Sequence, residues 1–261
     1  MYFAFLFLAL SLPALAHSRS VYSNVSTSVE AKRVVKLEVR LDKKRVSHCS
    51  GVLLSERVVA TAAHCLHRKL KEPSSFTVQL GDQKAHAAKL FVHEGFDGEG
   101  GCTDVGIMIL EEDIALPSEP LYVGCGLKWL SGKCNAYGYG LTEDNVLSPD
   151  VREVNYKVTE SKIKGHEKPT CFTGTYPSRS KLCRGDSGGP TICRVAGKSV
   201  FVAVTSLGIT KDLPDRLSRC KVSRASVLAN VQAFIELLQQ IPEEDRKFVK
   251  EYVNALDCPL D

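Results

Sequence analysis

The feature that most constrains the fold is a series of short apolar runs separated by polar and turn residues. The first run, residues 34–41, alternates apolar with polar side chains, as a strand with one buried face does. Further runs of strand length lie at residues 51–54, 58–60, 76–80, 105–110 and 200–204. Many short strands with turn residues between them predict an all-β barrel or sandwich.

The C-terminal part of the chain has a different period. Residues 227–241 have helical spacing, which Pro242 interrupts before Glu243, Glu244 and Asp245 open a second helical stretch. The apolar residues that define the two stretches are Val231, Phe234, Ile235 and Leu238, followed by Phe248, Tyr252, Val253 and Leu256. We expect a C-terminal helix and, over residues 241–261, a short helical extension that docks on the body of the protein.

The N-terminal residues predict export. Residues 2–16 are apolar and end in Ala14-Leu15-Ala16, a small-x-small pattern that suits signal peptidase. The stretch is too short for a membrane anchor, and a buried helix is the alternative interpretation. We therefore expect a signal peptide over residues 1–16 and a secreted, extracellular protein without a membrane span.

Charge and cysteine usage exclude several classes of function. The net charge of +4 is small and the basic residues are scattered between acidic ones, so we expect no nucleic-acid surface. Ten cysteines without a CxxC pair, in an exported chain, indicate disulfides rather than a zinc site. We expect neither a metal nor a cofactor.

Three motifs carry residues with catalytic chemistry, in the order His, Asp, Ser. They are Thr61-Ala62-Ala63-His64-Cys65, Asp104 with the apolar residues 105–110 after it, and Gly185-Asp186-Ser187-Gly188-Gly189-Pro190. A serine hydroxyl is a poor nucleophile at neutral pH, so a histidine must accept its proton as it attacks. A carboxylate must then orient and stabilise the imidazolium. Ser187, His64 and Asp104 are the predicted catalytic triad.

Together these motifs resemble the trypsin and chymotrypsin family, over residues from about 34 to about 241. The resemblance implies two packed six-stranded antiparallel β-barrels, in a protease domain over residues 17–240 whose barrels meet near residue 130. It implies a serine endopeptidase that works through an acyl-enzyme, with the N–H groups of Gly185 and Ser187 as the oxyanion hole. Residues 81–96 are shorter than the calcium loop of trypsins and lack its acidic ligands, so no calcium site is expected. The six other histidines are expected to be structural.

The resemblance also implies the substrate-binding residues. Ser206-Leu207-Gly208 is similar to the family's Ser-Trp-Gly strand, which pairs with the substrate backbone, although Leu207 replaces the Trp. Lys181 takes the position at the base of the primary specificity pocket, where trypsins have Asp, and Arg184 adds positive charge at its mouth. We predict against trypsin-like cleavage, and a Lys181 that faces the pocket would favour cleavage after Glu or Asp. The alternative is a Lys181 that faces outward or pairs with Asp212 or Asp215, both in the inserted segment 209–219.

Activation is expected to depart from the family. In the family a new N-terminal Ile or Val pairs with the acid before the nucleophile, here Asp186. The usual Ile-Val-Gly-Gly start is missing, and the equivalent position falls between Ser20 and Val25, where cleavage after Arg19 would free the poorly matching Ser20. Asn24-Val25-Ser26 is a glycosylation sequon, and a glycan there could not be buried. We predict an unusual or absent zymogen switch.

Three disulfides follow from the resemblance: Cys49–Cys65, Cys134–Cys193 and Cys183–Cys220. The four other cysteines allow three connectivities. The cysteine that pairs with the equivalent of Cys171 in the family is missing, and the equivalent of Cys125 often pairs near a chain end. We favour Cys102–Cys171 and Cys125–Cys258, the second of which would hold the C-terminal segment to the body.

Two other functions remain open at this stage. A catalytically silent homologue that acts as a binding protein would keep the fold and the motifs. A lipase or esterase would have the Gly-x-Ser-x-Gly pattern, which residues 185–189 satisfy, but its partner residues follow the nucleophile in a different order. As a protease, the protein is expected to be a monomer with extracellular polypeptides as substrates and protein protease inhibitors as further partners.

Overall fold

The computed structural model describes residues 23–117, 119–210 and 213–258, and the side chains of Arg216 and Tyr252 are left out of the description. The expected signal peptide over residues 1–16 lies outside the described residues, as do Ser20 and Asp212. Among the described residues, no helix has the length and apolar composition needed to cross a bilayer.

Two closed antiparallel β-barrels make up the body of the protein, as the sequence predicted. A two-residue strand, β1 (Asn24–Val25), comes first and pairs with the second barrel. The first barrel closes where its first strand pairs with its fourth, in the spatial order β2-β3-β4-β7-β6-β5. Its six strands are β2 (Val34–Arg40), β3 (Val46–Leu53), β4 (Val58–Thr61), β5 (Phe76–Leu80), β6 (Gln83–Val92) and β7 (Gly106–Leu110).

The later strands form the second barrel and an extension of its sheet. They are β8 (Leu121–Gly124), β9 (Lys133–Gly138), β10 (Arg152–Glu160), β11 (Cys171–Thr175), β12 (Pro190–Val195), β13 (Lys198–Ile209), β14 (Ala225–Asn230) and β15 (Asn254–Leu256). Strands β9 to β14 close into the barrel because β12 pairs with both β9 and β13. Strands β8 and β15 continue the sheet outward from β13 in parallel register.

Alternation of side chains explains the strands of the first barrel. In β2, Val35, Leu37 and Val39 point into the core, while Lys36 and Glu38 are partly exposed. A strand with this alternation can bury one face and leave the other in water. The second barrel has its own core, and a third apolar cluster joins the two barrels to the C-terminal helix.

The structure has four α-helices among its described residues: α1 (Ala63–Leu66), α2 (Arg216–Val222), α3 (Val231–Gln240) and α4 (Glu243–Tyr252). Shorter 3-10 turns lie at Glu30–Arg33, His67–Lys69, Pro73–Ser75 and Leu127–Ser131. Helix α3 packs Phe234, Leu237 and Leu238 into the cluster between the barrels. Helix α4 is held to β6 by an ion pair of 2.7 Å between Lys89 and the mostly buried Asp245.

Two details of the C-terminal prediction are wrong. Residues 227–230 belong to strand β14 rather than to the helix, because all six residues of β14 are buried between neighbouring strands and no alternation marks it. The second helical stretch ends at Tyr252, and Leu256 lies in strand β15 instead of on the helix face. The chain turns back there because β8 offers it an unpaired edge.

Five disulfides join all ten cysteines. The pairs are Cys49–Cys65, Cys102–Cys171, Cys125–Cys258, Cys134–Cys193 and Cys183–Cys220, the same pairs that the sequence analysis favoured. Cys125–Cys258 lies beside the pairing of β8 with β15, so it fastens the C-terminal segment to the connection between the barrels. The two groups of nearby cysteine and histidine side chains, around His64 and around His166, each contain a disulfide whose sulfurs cannot ligate a metal.

Candidate active site

His64 is placed by a single helical turn at the end of β4. Ala62 and Ala63 are fully buried, and their small side chains let α1 lie directly against the first barrel. The Cys49–Cys65 disulfide then ties this turn to β3. The imidazole of His64 is therefore held at the barrel surface, with 27% of its side chain exposed toward solvent.

Asp104 fixes the orientation of that imidazole. Its carboxylate is fully buried, and Oδ1 accepts a hydrogen bond of 2.8 Å from the His64 backbone N–H. The other oxygen, Oδ2, lies 2.7 Å from His64 Nδ1. Since a carboxylate can only accept, Nδ1 carries the hydrogen. In the neutral imidazole, Nε2 then keeps a free lone pair that can accept a proton from a hydroxyl in the cleft.

Ser206 is a third partner of this carboxylate. Its hydroxyl donates to Asp104 Oδ2 over 2.5 Å and accepts from the Gly101 N–H over 2.7 Å. Ser206 was expected to bind substrate through its main chain, and this side-chain role was not foreseen. The second barrel thus helps to hold a residue of the first.

The nucleophile turn approaches the first barrel so closely that one position must be glycine. Gly188 has φ +77°, and a Cβ atom there would lie 2.0 Å from Thr61 Oγ1 and 2.5 Å from the Ser50 carbonyl oxygen. Only glycine combines this backbone conformation with the absence of a side chain. The glycine after Ser187 therefore brings the nucleophile against the end of β4, directly before the helical turn that carries His64.

Ser50 holds the nucleophile turn in place, and sequence reasoning did not identify it. Its N–H donates to the Ser187 carbonyl over 2.8 Å, and its hydroxyl donates to the Gly185 carbonyl over 2.8 Å. The same hydroxyl accepts from the Tyr139 N–H over 3.0 Å. The signal that could have found it is a fully buried polar residue in the otherwise apolar second half of β3.

This anchoring leaves two N–H groups of the turn unused. Gly185 has φ +99°, and its carbonyl is engaged by Ser50. Within the described part of the chain, the N–H groups of Gly185 and Ser187 donate to no protein acceptor. Two free N–H groups that flank the nucleophile are the donors that a tetrahedral oxyanion requires.

Ser187 and His64 line one cleft with a volume of about 570 Å³. Among the described residues, Ser187 Oγ has no hydrogen-bond partner, and the contact between a nucleophile and its base is often long without substrate. Ser206, Leu207 and Gly208 line one wall of the cleft. Arg184, three residues before Ser187 in sequence, also lines the cleft and is exposed. The structure therefore brings these predicted site residues to a single cleft.

Lys181 is placed differently from the expectation that it forms the base of the pocket. It is not among the residues that line the cleft, although its neighbour Leu182 is. Its Nζ lies 4.2 Å from the centre of the Tyr176 ring and donates to the Ser178 carbonyl over 3.4 Å. A cation is attracted to the face of an aromatic ring, and this contact turns the amine away from the cleft.

A Lys181 outside the cleft agrees with one alternative considered for it, whereas the described part of the inserted segment does not pair with it. Asp215 caps α2 by accepting from the Ser218 N–H over 2.8 Å, and it forms no ion pair with Lys181 in the described structure. Arg219 lines the cleft while its Nε donates to the Leu213 carbonyl. The wall of the cleft beyond Leu182 is completed by hydroxyls, those of Thr205, Ser223 and Ser226.

Asp186, the predicted activation partner, is buried beneath the nucleophile turn. Its carboxylate accepts from the Gly140 N–H over 2.7 Å and from the Cys183 N–H over 2.8 Å. Burial raises the pKa of the Asp186 carboxyl to about 6, against the lowering effect of these two donors and of the nearby Arg152 charge. The Arg152 guanidinium is itself buried, and it donates to the carbonyl of the fully buried Ser23.

Two β-barrels, a buried Asp-His pair and a serine with free N–H groups beside it define the class of chymotrypsin-like serine proteases. The family model for trypsin matches residues 25–228, and the chain belongs to this family.

Individual relatives are similar at moderate identity. Mast cell protease 2 of Meriones unguiculatus is 31% identical over 183 residues, which cover 60% of this chain and 69% of the relative. Human kallikrein-7 is 29% identical, and the match covers 56% of this chain and 63% of the relative. Mouse mast cell protease 8 is 25% identical, and the match covers 76% of this chain and 83% of the relative. A solved structure entitled HL collagenase has a TM-score of 0.66 and 18% identity, and the match covers 84% of this chain and 97% of that one. This last likeness supports the fold.

Proposed function

We propose that the protein is a secreted serine endopeptidase that hydrolyses polypeptides through an acyl-enzyme. The observation that carries the proposal is that His64 and Ser187 line one cleft, with the buried Asp104 bound to Nδ1 of His64 and Nε2 left as the free base. Five disulfides and the relationship to trypsin-family proteases support an extracellular location.

In the proposed mechanism, Ser187 Oγ attacks the substrate carbonyl while His64 Nε2 accepts its proton. The N–H groups of Gly185 and Ser187 stabilise the oxyanion, and donors of this kind contribute roughly 3–4 kcal/mol each. Protonated His64 then gives the proton to the leaving amine, and Asp104 keeps the ring oriented in both states. A water molecule then attacks the acyl-enzyme in the same way, with His64 as the base that accepts its proton, and Ser187 is released.

The experiment that tests this proposal is labelling with a fluorophosphonate, which modifies only an activated serine. We expect the purified protein to be labelled at Ser187, and S187A to be unlabelled with an unchanged melting temperature. Hydrolysis of a peptide library by the wild type but not by S187A would identify the reaction as proteolysis. Wild-type labelling at a site other than Ser187 would refute the mechanism.

We also propose that cleavage is not trypsin-like. The position that trypsins fill with Asp is Lys181, and the inner wall of the cleft consists of Leu182, Thr205 and Ser226 without a carboxylate. With Lys181 held on Tyr176, an uncharged residue before the scissile bond fits this wall better than Glu or Asp. K181Q tests the point: we expect its cleavage preference to match that of the wild type. If the wild type preferred Glu or Asp before the scissile bond and K181Q lost that preference, Lys181 would have to act in the pocket, which would contradict its placement on Tyr176.

A silent binding protein is the second candidate, favoured by the irregular activation segment. In the family a new N-terminal ammonium pairs with the equivalent of Asp186 and orders the oxyanion hole, and the segment between Ser20 and Val25 lacks the Ile-Val-Gly-Gly start that would supply it. We propose that activation is unusual, since Val25 is 46% exposed and Asn24 of the sequon is exposed too. N-terminal sequencing of the active protein tests this, because a required start at Val21 or Val25 would contradict it.

A further inference from the structure

The side of the cleft that receives the leaving half of a substrate is built from basic residues. This inference rests on the proposed function. The acyl half of a substrate would lie along Ser206–Gly208, with one side chain directed toward Leu182. The leaving half would then extend in the opposite direction from Ser187, past the Cys49–Cys65 disulfide and the first half of β3.

Three basic side chains line this direction. Arg184 precedes the nucleophile turn, His48 lies on β3 next to Cys49, and Arg68 follows α1. Arg68 and Arg184 are both exposed. Within the described residues neither guanidinium forms an ion pair or a hydrogen bond. Arginines held at a cleft without a carboxylate partner are available to bind one from a ligand.

Among the described residues, Glu38 is the carboxylate beside this group, and its contact within the group is with His48 rather than with the arginines. Glu38 lies 3.4 Å from Lys36 Nζ, which takes up its charge, and 3.9 Å from His48 Nδ1. His48 Nδ1 is buried without a hydrogen-bond partner. Burial lowers the pKa of His48; Glu38 raises it, and the charges of Lys36 and Arg184 lower it, so that the imidazole is mainly neutral at neutral pH.

The opposite wall provides a contrast in charge. Among the described residues that line the cleft, Glu99 is the one acidic side chain. It precedes Gly100, which packs against Leu207 and Ser206, so it lies on the acyl side. Arg219 also lines the cleft, so the contrast lies in the acidic residues: Glu99 is on the acyl side, and none of the described lining residues beside Arg184 and Arg68 in sequence is acidic.

We infer that Arg184 and Arg68 form a subsite that recognises Asp or Glu in the first residues after the scissile bond, with His48 as a further hydrogen-bond donor. The substrate class is a polypeptide with an acidic segment on the carboxyl side of the cleavage point. Lys or Arg at the same positions would be repelled, which adds discrimination beyond the attraction itself.

Fluorogenic peptides with one fixed acyl half test this inference. The residues after the scissile bond would be Asp-Glu, Asn-Gln or Lys-Lys, so the first two series differ in charge but hardly in size. We expect kcat/KM to be about tenfold higher for the acidic peptide than for the amide peptide, as two charge pairs at a partly exposed cleft would give. The preference should shrink as salt is raised, because salt screens exposed charges.

The double variant R68Q/R184Q should bring the ratio of acidic to amide peptide close to one. K198Q is the control, because it removes one positive charge from an exposed residue outside the cleft. Its ratio of kcat/KM for the acidic peptide to that for the amide peptide should equal the wild-type ratio. Equal kcat/KM for both peptides with the wild type, or an unchanged ratio in R68Q/R184Q, would overturn the inference.

A second measurement separates this inference from the proposed function. Binding of the same peptides to S187A, followed by fluorescence anisotropy, does not require turnover. Acid-selective binding that depends on Arg68 and Arg184 would support the subsite even if the wild type hydrolysed nothing and resisted fluorophosphonate. Hydrolysis of the peptides without any preference for the acidic one would support the proposed protease function and refute the acid-binding subsite.

Discussion

Ser206 Oγ and His64 Nδ1 both donate to the same oxygen of Asp104, over 2.5 and 2.7 Å. The two donors come from different barrels, since Ser206 lies on β13 and His64 on α1. A buried carboxylate needs several donors to remain charged, and hydrogen bonds to charged groups are worth about 1.5–3 kcal/mol each. The second barrel therefore contributes to the orientation of the catalytic base.

Removal of this hydroxyl should slow catalysis. In S206A we expect kcat to fall about tenfold with KM little changed, because one donor to Asp104 is lost and His64 is held less firmly. The Gly101 N–H also loses its acceptor, so the melting temperature should fall. S131A, which removes an exposed hydroxyl far from the cleft, is the matched control. Unchanged kcat in S206A would show that Ser206 has no positioning role.

Alanine at position 188 should disrupt the site through a clash as well as through its backbone angle. Gly197 has the same φ of +77° but has open space where a Cβ would lie. G197A should therefore lose about 1 kcal/mol of unfolding free energy, the cost of the left-handed conformation alone. We expect G188A to lose about 3 kcal/mol more and to show no fluorophosphonate labelling. Equal melting temperatures for the two variants would refute the close approach to Thr61 and Ser50.

Asp186 should make the stability of the protein depend on pH. A carboxyl whose folded pKa is raised to about 6 contributes stability that is full below its unfolded pKa and is lost as pH rises through 6. Between pH 4 and pH 7 the free energy of unfolding of the wild type should fall relative to D186N by about 3 kcal/mol. Urea denaturation of both proteins at several pH values measures this difference. Parallel curves would mean that a cation already pairs with Asp186.

Loss of the Cys125–Cys258 disulfide should free the C-terminal segment. This bridge joins residues 133 apart in sequence, so C125A/C258A should lower the free energy of unfolding by about 4 kcal/mol. Residues 254–258 should also become more sensitive to limited proteolysis, since without the bridge they are held by noncovalent contacts, namely the pairing of β15 with β8, the Lys128–Asp257 ion pair and apolar packing. C102A/C171A is the comparison, because it removes a bridge without touching this segment. Equal protease resistance of wild type and C125A/C258A would contradict the expected role.

The sequence predicted several strands, including β4 and β7, which are buried on both faces, and failed where a strand runs directly into a helix. Residues 227–230 of β14 are followed without a break by α3, and their apolar residues fit the helical spacing of the segment after them. Leu256 fitted a helical face equally well, and only the open edge of β8 makes it a strand residue. Tertiary pairing of this kind leaves no local pattern.

The site shows the same division. His64, Asp104, Gly185 and Ser187 lie in motifs whose residue types follow from the chemistry. The direction of Lys181 depends on Tyr176, an aromatic ring that no motif places beside it. Ser50 acts through hydrogen bonds to residues more than a hundred positions away, and a single buried serine carries no sequence signal of such a contact.

The Ser50 hydrogen bonds have a consequence for the order of events during biosynthesis. His64 and Asp104 belong to the first barrel, but the turn that carries Ser187 is fixed only when the second barrel is docked against Ser50. Domains generally fold from the N-terminus as the chain emerges. A partly synthesised chain therefore does not yet hold His64, Asp104 and Ser187 in their final arrangement. In the proposed protease, proteolytic capacity arises last, once nearly the whole chain has left the ribosome, and nascent neighbours are spared from it until then.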